Sequence, residues 1–192
     1  VSARWTDFAG RSGDATAVAI TGDTGYFWFF AEDNVELILK LIDGGGYNGH
    51  HWVYYGALSN VEYTFTVTDS ETGAAKRYFN PATRFASSGD ITAFGPQGAH
   101  AQGGPAGAMT RAATPPDISL ATFSAPQELP GACVPTATRF YILDNRFAVT
   151  ATWRDFAGHT GTANAGTLTD DTGYLWFFDD ANVEVVLKMV DA

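Results

Sequence analysis

One cysteine among 192 residues, Cys133, excludes a disulfide within the chain. So low a cysteine content fits the cytosol and a secreted bacterial protein equally well. Cys133 is expected to be a small, partly buried thiol, with an intermolecular or redox role as the alternative. Basic residues are also scarce: 11 Lys and Arg stand against 21 Asp and Glu, for a formal net charge of −10. They are scattered, and no local patch offsets the acidic excess, which argues against nucleic acid or an anionic membrane surface as partner. No run approaches the roughly 18–20 apolar residues needed to span a bilayer.

Catalytic signatures are missing too. There is no G-x-S-x-G elbow, no H-E-x-x-H and no phosphate-cradling loop. "GGGYNG" and "QGGPAGA" read as turn and linker. The four histidines, His50, His51, His100 and His159, lack the spacing of a zinc site. His50 and His51 are neighbours on a predicted strand, so they point to opposite faces. The chain is expected not to be an enzyme.

What is present is a duplication. Residues 1–44 align with 149–192 without a gap, at an offset of 148, and 24 of the 44 positions are identical. Trp5 meets Trp153, Asp23 meets Asp171, Trp28 meets Trp176, Asn34 meets Asn182 and Lys40 meets Lys188. This is a repeated module. The first copy runs on through "NGHHWVYY" and "NVEYTFTVTD"; the second has a lead-in, "RFYILDNRFA", without counterpart in the first. Val1 corresponds to the middle of an alternating run, so both copies are expected to be incomplete at the chain ends. Three explanations stand open: a window on a longer tandem array, a proteolytic piece, or modules completed by strands from neighbouring chains.

The local pattern is that of strands. Val61, Tyr63, Phe65 and Val67 alternate with Glu62, Thr64, Thr66 and Thr68, a period of two that marks a half-buried strand. "VSARWTDF" alternates in the same way. "DSETG" at 69–73 reads as a hairpin turn and "AKRYFNP" as the returning strand. "NVELILKLI" at 34–42 places Val35, Leu37, Leu39 and Leu41 on one strand face, with Glu36, Ile38 and Lys40 opposite. Each full module is thus expected to hold seven or eight short strands and no clear helix. The fold class is all-β, as tandem immunoglobulin-like β-sandwich modules. The first repeat is assigned to 1–83, a Gly/Ala/Pro-rich linker to 84–138, and the N-terminal part of the second repeat to 139–192.

Three groups of residues are site candidates. In "GYFWFF", alternation sets Tyr26, Trp28 and Phe30 on one face and Phe27 and Phe29 on the other, with Tyr174, Trp176 and Phe178 repeating the first set. They are read as core or assembly aromatics, with a sugar-stacking role left open. Trp52, Tyr54 and Tyr55 are candidate glycan contacts. Asp23, Glu32, Asp33 and Asn34, with Asp171, Asp179, Asp180 and Asn182, could gather as oxygen ligands for calcium. Turn chemistry explains the same residues without a metal, because Asp and Asn side chains bond nearby backbone amides. No other cofactor is expected.

Together "WRDFAGHTG", "LTDDTGYLWFF", "NVEVVLK", "NGHHWVYY", "VEYTFTVTDSETG" and "YFNP" resemble a repeat of secreted, multidomain bacterial proteins. The resemblance covers about 1–81 and 139–192. It implies a non-catalytic β-rich module, an extracellular or cell-surface location, and tandem copies. Such copies often carry a cysteine after the "DG" that ends the "NVE" strand, where this chain has Gly44, Gly45 and Gly46. The expected function is a structural or adhesive module that packs in tandem or self-assembles head to tail into a fibre. Its partners are other repeats of the same protein. The alternative is a carbohydrate-binding accessory module of a secreted multidomain protein or enzyme.

Overall fold

The computed structural model describes residues 1–95 and 134–190. The expectations placed on Cys133, His100 and the central part of the linker lie outside the described residues. The described residues are almost entirely strand and turn, arranged in antiparallel sheets. No helix among them is long and apolar enough to cross a membrane.

The first repeat builds two sheets around one core. One sheet holds β1 (Ser2–Thr6), β2 (Ser12–Asp14), β7 (Glu62–Thr68) and β8 (Ala75–Asn80) in the order β2-β1-β7-β8. The other holds β3 (Thr16–Ala19), β4 (Thr24–Trp28), β5 (Leu37–Gly44), β6 (His50–Ala57) and β9 (Ser87–Phe94) in the order β3-β4-β5-β6-β9. The period-two pattern decides which side chains meet between them. Tyr63, Phe65 and Val67 of β7 are each at most 1% exposed and pack with Phe27, Leu37, Leu39 and Val53 of the opposite sheet. Each such side chain contributes about 1.5–3 kcal/mol by leaving water. Phe65 stacks on Tyr78 at 4.8 Å and meets the edge of Tyr55 at 4.9 Å. This is a β-sandwich, two inner faces closing on one another.

The hairpin turn at 69–73 forms as the sequence predicts. Asp69 accepts hydrogen bonds from the Glu71 amide (3.0 Å) and the Thr72 hydroxyl (2.6 Å). Gly73 takes the left-handed φ of 72° that closes the turn.

Two expectations need correction. The first repeat does not stop at residue 83, because β9 completes the five-stranded sheet beside β6. Its sequence, "SSGDITAF", lacks apolar alternation, which is why it reads as linker. It is held by Asp90, which accepts from Lys76 Nζ and the Tyr78 hydroxyl, both at 2.9 Å. Asn80, fully buried, fixes the connection: its Nδ2 donates to the carbonyls of Val61 (2.8 Å) and Arg84 (3.0 Å), and its Oδ1 accepts from the Ala86 amide (2.9 Å). Among the described residues the repeat therefore has nine strands, and "GGGYNG" contains one short helix, α1 (Gly45–Asn48), rather than a simple turn.

The second repeat reproduces the shared part strand for strand. β12 (Thr152–Arg154) and β13 (Thr160–Thr162) form one hairpin; β14 (Asn164–Thr167), β15 (Thr172–Trp176) and β16 (Val185–Lys188) form a three-stranded sheet. The registers match at the 148 offset: Trp5 faces Gly13 as Trp153 faces Gly161, and Thr24 faces Lys40 as Thr172 faces Lys188. The lead-in becomes a hairpin of β10 (Phe140–Ile142) and β11 (Phe147–Val149). It delivers Phe140 and Ile142, 1% and 0% exposed, to a core with Leu175 and Ala163. Gly173 lies beneath Phe140; a Cβ there would stand 2.2 Å from the ring, so only glycine fits.

Candidate functional site

The strand pattern that fills the core also decides what faces away from it. In the five-stranded sheet Leu37 and Leu39 point inward, so Ile38, Lys40 and Ile42 point outward. Their cross-strand partners share that face: Tyr26 opposite Ile38, Thr24 and Tyr54 opposite Lys40, Trp52 opposite Ile42, and Thr16 opposite Trp28. The outer face is thus aromatic and aliphatic around one lysine. In the second repeat Tyr174, Val186 and Lys188 occupy the equivalent outward positions.

Each lysine reaches into the other repeat. Lys40 Nζ donates to Asn182 Oδ1 and to the Val183 carbonyl at 2.9 Å. Lys188 Nζ donates to Asn34 Oδ1 and to the Val35 carbonyl at 2.9 Å. Because 34, 35 and 40 correspond to 182, 183 and 188, the contact is reciprocal, the arrangement expected of a two-fold interface between like surfaces. The lysine side chains are 16% and 5% exposed. Each ammonium also faces an aspartate of its own repeat: Lys40 lies 3.5 Å from Asp23, and Lys188 lies 3.2 Å from Asp171.

Behind each asparagine stands a glutamate. Glu36, 1% exposed, accepts from the Phe29 amide at 2.6 Å and from Asn34 Nδ2 at 2.5 Å. Glu184 accepts from the Phe177 amide at 2.8 Å and from Asn182 Nδ2 at 2.5 Å. Burial pushes the Glu36 carboxyl up to about 7, against the pull of the Phe29 amide, Lys188 and Asn34. Burial acts on Asp23 and Asp171 as well. There the threonine hydroxyls and the lysine ammonium prevail and hold both below the usual carboxylate range. Asp23 accepts from Thr21 and Thr24, both at 2.7 Å; Asp171 accepts from Thr169 at 2.7 Å and Thr172 at 2.6 Å.

Beside this contact runs a groove of about 780 Å³, lined among others by Ile38, Ile42, Tyr54 and Ser87 of the first repeat and Val183 and Val186 of the second.

The structure sorts the candidate residues. Phe27 and Phe29 enter the core, 4% exposed each, while Tyr26 and Trp28 stand half-buried on the outer face, as do Tyr174 and Trp176. Phe30 and Phe178 are exposed and lie over Trp5 and Trp153, with ring centres 4.7 and 4.6 Å apart. The glycan candidates separate. Trp52 and Tyr54 are on the outer face, but Tyr55 is turned inward between Phe65 and Tyr78, which corrects its placement with them. Tyr47, not singled out in the sequence, is 84% exposed and meets Trp52 edge-on at 5.6 Å. Of the calcium candidates, Asp23 and Asp171 lie at the lysines, whereas Glu32, Asp33, Asp179 and Asp180 lie on exposed turns. Asp179 accepts from the Ala181 amide at 3.0 Å, as a turn residue does. Among the described residues no three His, Cys, Asp or Glu side chains come together as a metal-holding group. Glu36, Glu184 and the two lysines were not chosen as site residues; their only sequence signal was recurrence in both copies within N-V-E-x-x-x-K.

Comparison with protein-family models, with curated proteins and with solved structures finds no match.

Proposed function

We propose that this chain is a non-catalytic structural or adhesive module of an extracellular or cell-surface protein, whose repeats pack against one another and, copy to copy, build a larger assembly. The observation that carries this is the reciprocal lysine contact between outer sheet faces. Two copies that differ at 20 of 44 aligned positions keep every residue of it. Because both repeats belong to one chain, their pairing is intramolecular and needs less intrinsic affinity than a contact between separate molecules. The extracellular location rests on the motif resemblance.

Replacing both lysines by methionine keeps side-chain length but removes the ammonium groups. In Lys40→Met/Lys188→Met the repeats should separate while each keeps its fold. Small-angle scattering should then report a larger radius of gyration, with unchanged far-ultraviolet circular dichroism. An unchanged radius would overturn the pairing. Electron microscopy of concentrated wild-type protein tests the larger assembly, and dispersed monomers would count against it.

A glycan-binding role is the second reading, favoured by the outer-face row Tyr47, Trp52 and Tyr54 beside Asn48, whose Oδ1 accepts from Trp52 Nε1 at 2.8 Å. Aromatic faces next to a polar group are what sugar rings stack on. A glycan array with no hits removes this reading; hits abolished by Trp52→Ala support it.

A further inference from the structure

The turn that joins β4 to β5 has a fixed polarity. The Phe29 amide and Asn34 Nδ2 both donate into Glu36, one to each carboxylate oxygen. With its nitrogen turned toward the carboxylate, the amide of Asn34 directs its oxygen to the other repeat, where it accepts from Lys188. The backbone sets the second acceptor. Asn34 N donates to the Ala31 carbonyl at 3.1 Å and Glu36 N to the Phe27 carbonyl at 3.0 Å, which leaves the Val35 carbonyl between them for the same ammonium. Asn182, Val183 and Glu184 repeat the arrangement, with Asn182 N on the Asp179 carbonyl and Glu184 N on the Leu175 carbonyl, both at 3.0 Å. A buried carboxylate is costly to keep, and leucine or valine would suit a core position better. Glu36 is buried and Glu184 half-buried, and a carboxylate kept at both places calls for a role.

We propose that the N-V-E turn is an ammonium socket in which Glu36 and Glu184 are positioning residues: each turns its asparagine so that the amide oxygen and the next backbone carbonyl accept the lysine of another repeat. The partner it fits is a second repeat carrying lysine at the place of Lys40 or Lys188. This rests on the paired-repeat reading and adds to it the group that makes the pairing selective for a primary ammonium.

The polarity can be reversed without emptying a hydrogen-bond position. In Glu36→Gln, Oε1 still accepts from the Phe29 amide, but the new NH₂ faces Asn34 Nδ2. Asn34 must then rotate, and its own NH₂ confronts Lys188. In Asn34→Asp/Glu36→Gln the new NH₂ donates to the aspartate, whose other oxygen accepts from Lys188. The probe is hydrogen exchange of the Lys188 ammonium in ¹⁵N-labelled full chain, measured by nuclear magnetic resonance at pH 8, where Glu36 is a carboxylate. Glu36→Gln should speed exchange on the order of tenfold, as expected for losing a hydrogen bond to a charged group, and the double variant should return it to within about twofold of wild type. Unchanged exchange in Glu36→Gln overturns the orienting role. So does failure of the double variant to recover while both repeats remain folded. If Glu36→Gln does not fold, the same pair at the more open socket, Glu184→Gln and Asn182→Asp/Glu184→Gln, read at Lys40, decides in the same way. Should Lys40→Met/Lys188→Met separate the repeats while Glu36→Gln leaves Lys188 protected, pairing stands and the socket falls. Should the methionines change nothing, pairing itself falls.

Discussion

Stability should depend on pH through Glu36 in a direction opposite to that of an ordinary paired carboxylate. The folded protein holds this carboxyl at about 7, against an ordinary value of 4.5. Between these two pH values the unfolded chain has released a proton that the native chain keeps, so stability falls as pH rises. The contribution is fully present below about 4.5 and is lost as pH passes through about 7. At roughly 1.4 kcal/mol per pH unit the loss amounts to about 3 kcal/mol. The magnitude follows from burial: with 1% of the side chain exposed, solvent cannot screen the charge, and Lys188 together with two amide donors offsets only part of the desolvation. Asp23, Asp90 and Asp171, held low, act in the other direction; their stabilisation is present above the usual aspartate range and is lost on acidification. Stability should therefore peak at mildly acidic pH. The assay is urea unfolding followed by tryptophan fluorescence at pH 5 and pH 8, for wild type and Glu36→Gln. General repulsion from the net charge of −10 affects both proteins and cancels in the difference. Wild type should lose about 3 kcal/mol more than the variant over this range. Equal losses would refute the assignment.

Asn80→Ala should cost about 2–3 kcal/mol, because it leaves the Val61 and Arg84 carbonyls and the Ala86 amide without their shared partner; chemical denaturation measures it. Tyr63→Phe should be neutral or stabilising by up to about 1 kcal/mol, since the Tyr63 hydroxyl is buried without a hydrogen-bond partner among the described residues; a clear loss of melting temperature would show that the hydroxyl is satisfied in solution.

Much of the fold was legible because strands write their own period. Val61, Tyr63, Phe65 and Val67 are buried as their alternation requires, and Leu37 and Leu39 follow the same rule. The Asp69 turn was legible from side-chain chemistry acting over two or three residues. β9 was not, because Ser87–Phe94 carries little apolar pattern and is held by Lys76 and Tyr78, distant in sequence. Tyr55 was misplaced because a run of Trp52, Tyr54 and Tyr55 spans both faces of one strand, and only the pairing with Leu39 shows which ring turns inward. The site was the least legible part. Asn34, Asp23 and their counterparts were noted as oxygen donors, but they face lysine ammonium groups in the structure.

The residue order alone determined that the chain is built from strands, that a module recurs at an offset of 148, and that each copy carries the same Asp, Asn, Glu and Lys at matching positions. These follow from backbone periodicity and from likeness between segments. Only the tertiary structure decided that Lys40 meets Asn182, 142 residues away, and that an outward, half-apolar sheet face is where the copies meet. Such a contact has no signature along the chain, because it depends on where two finished sheets place their side chains relative to one another.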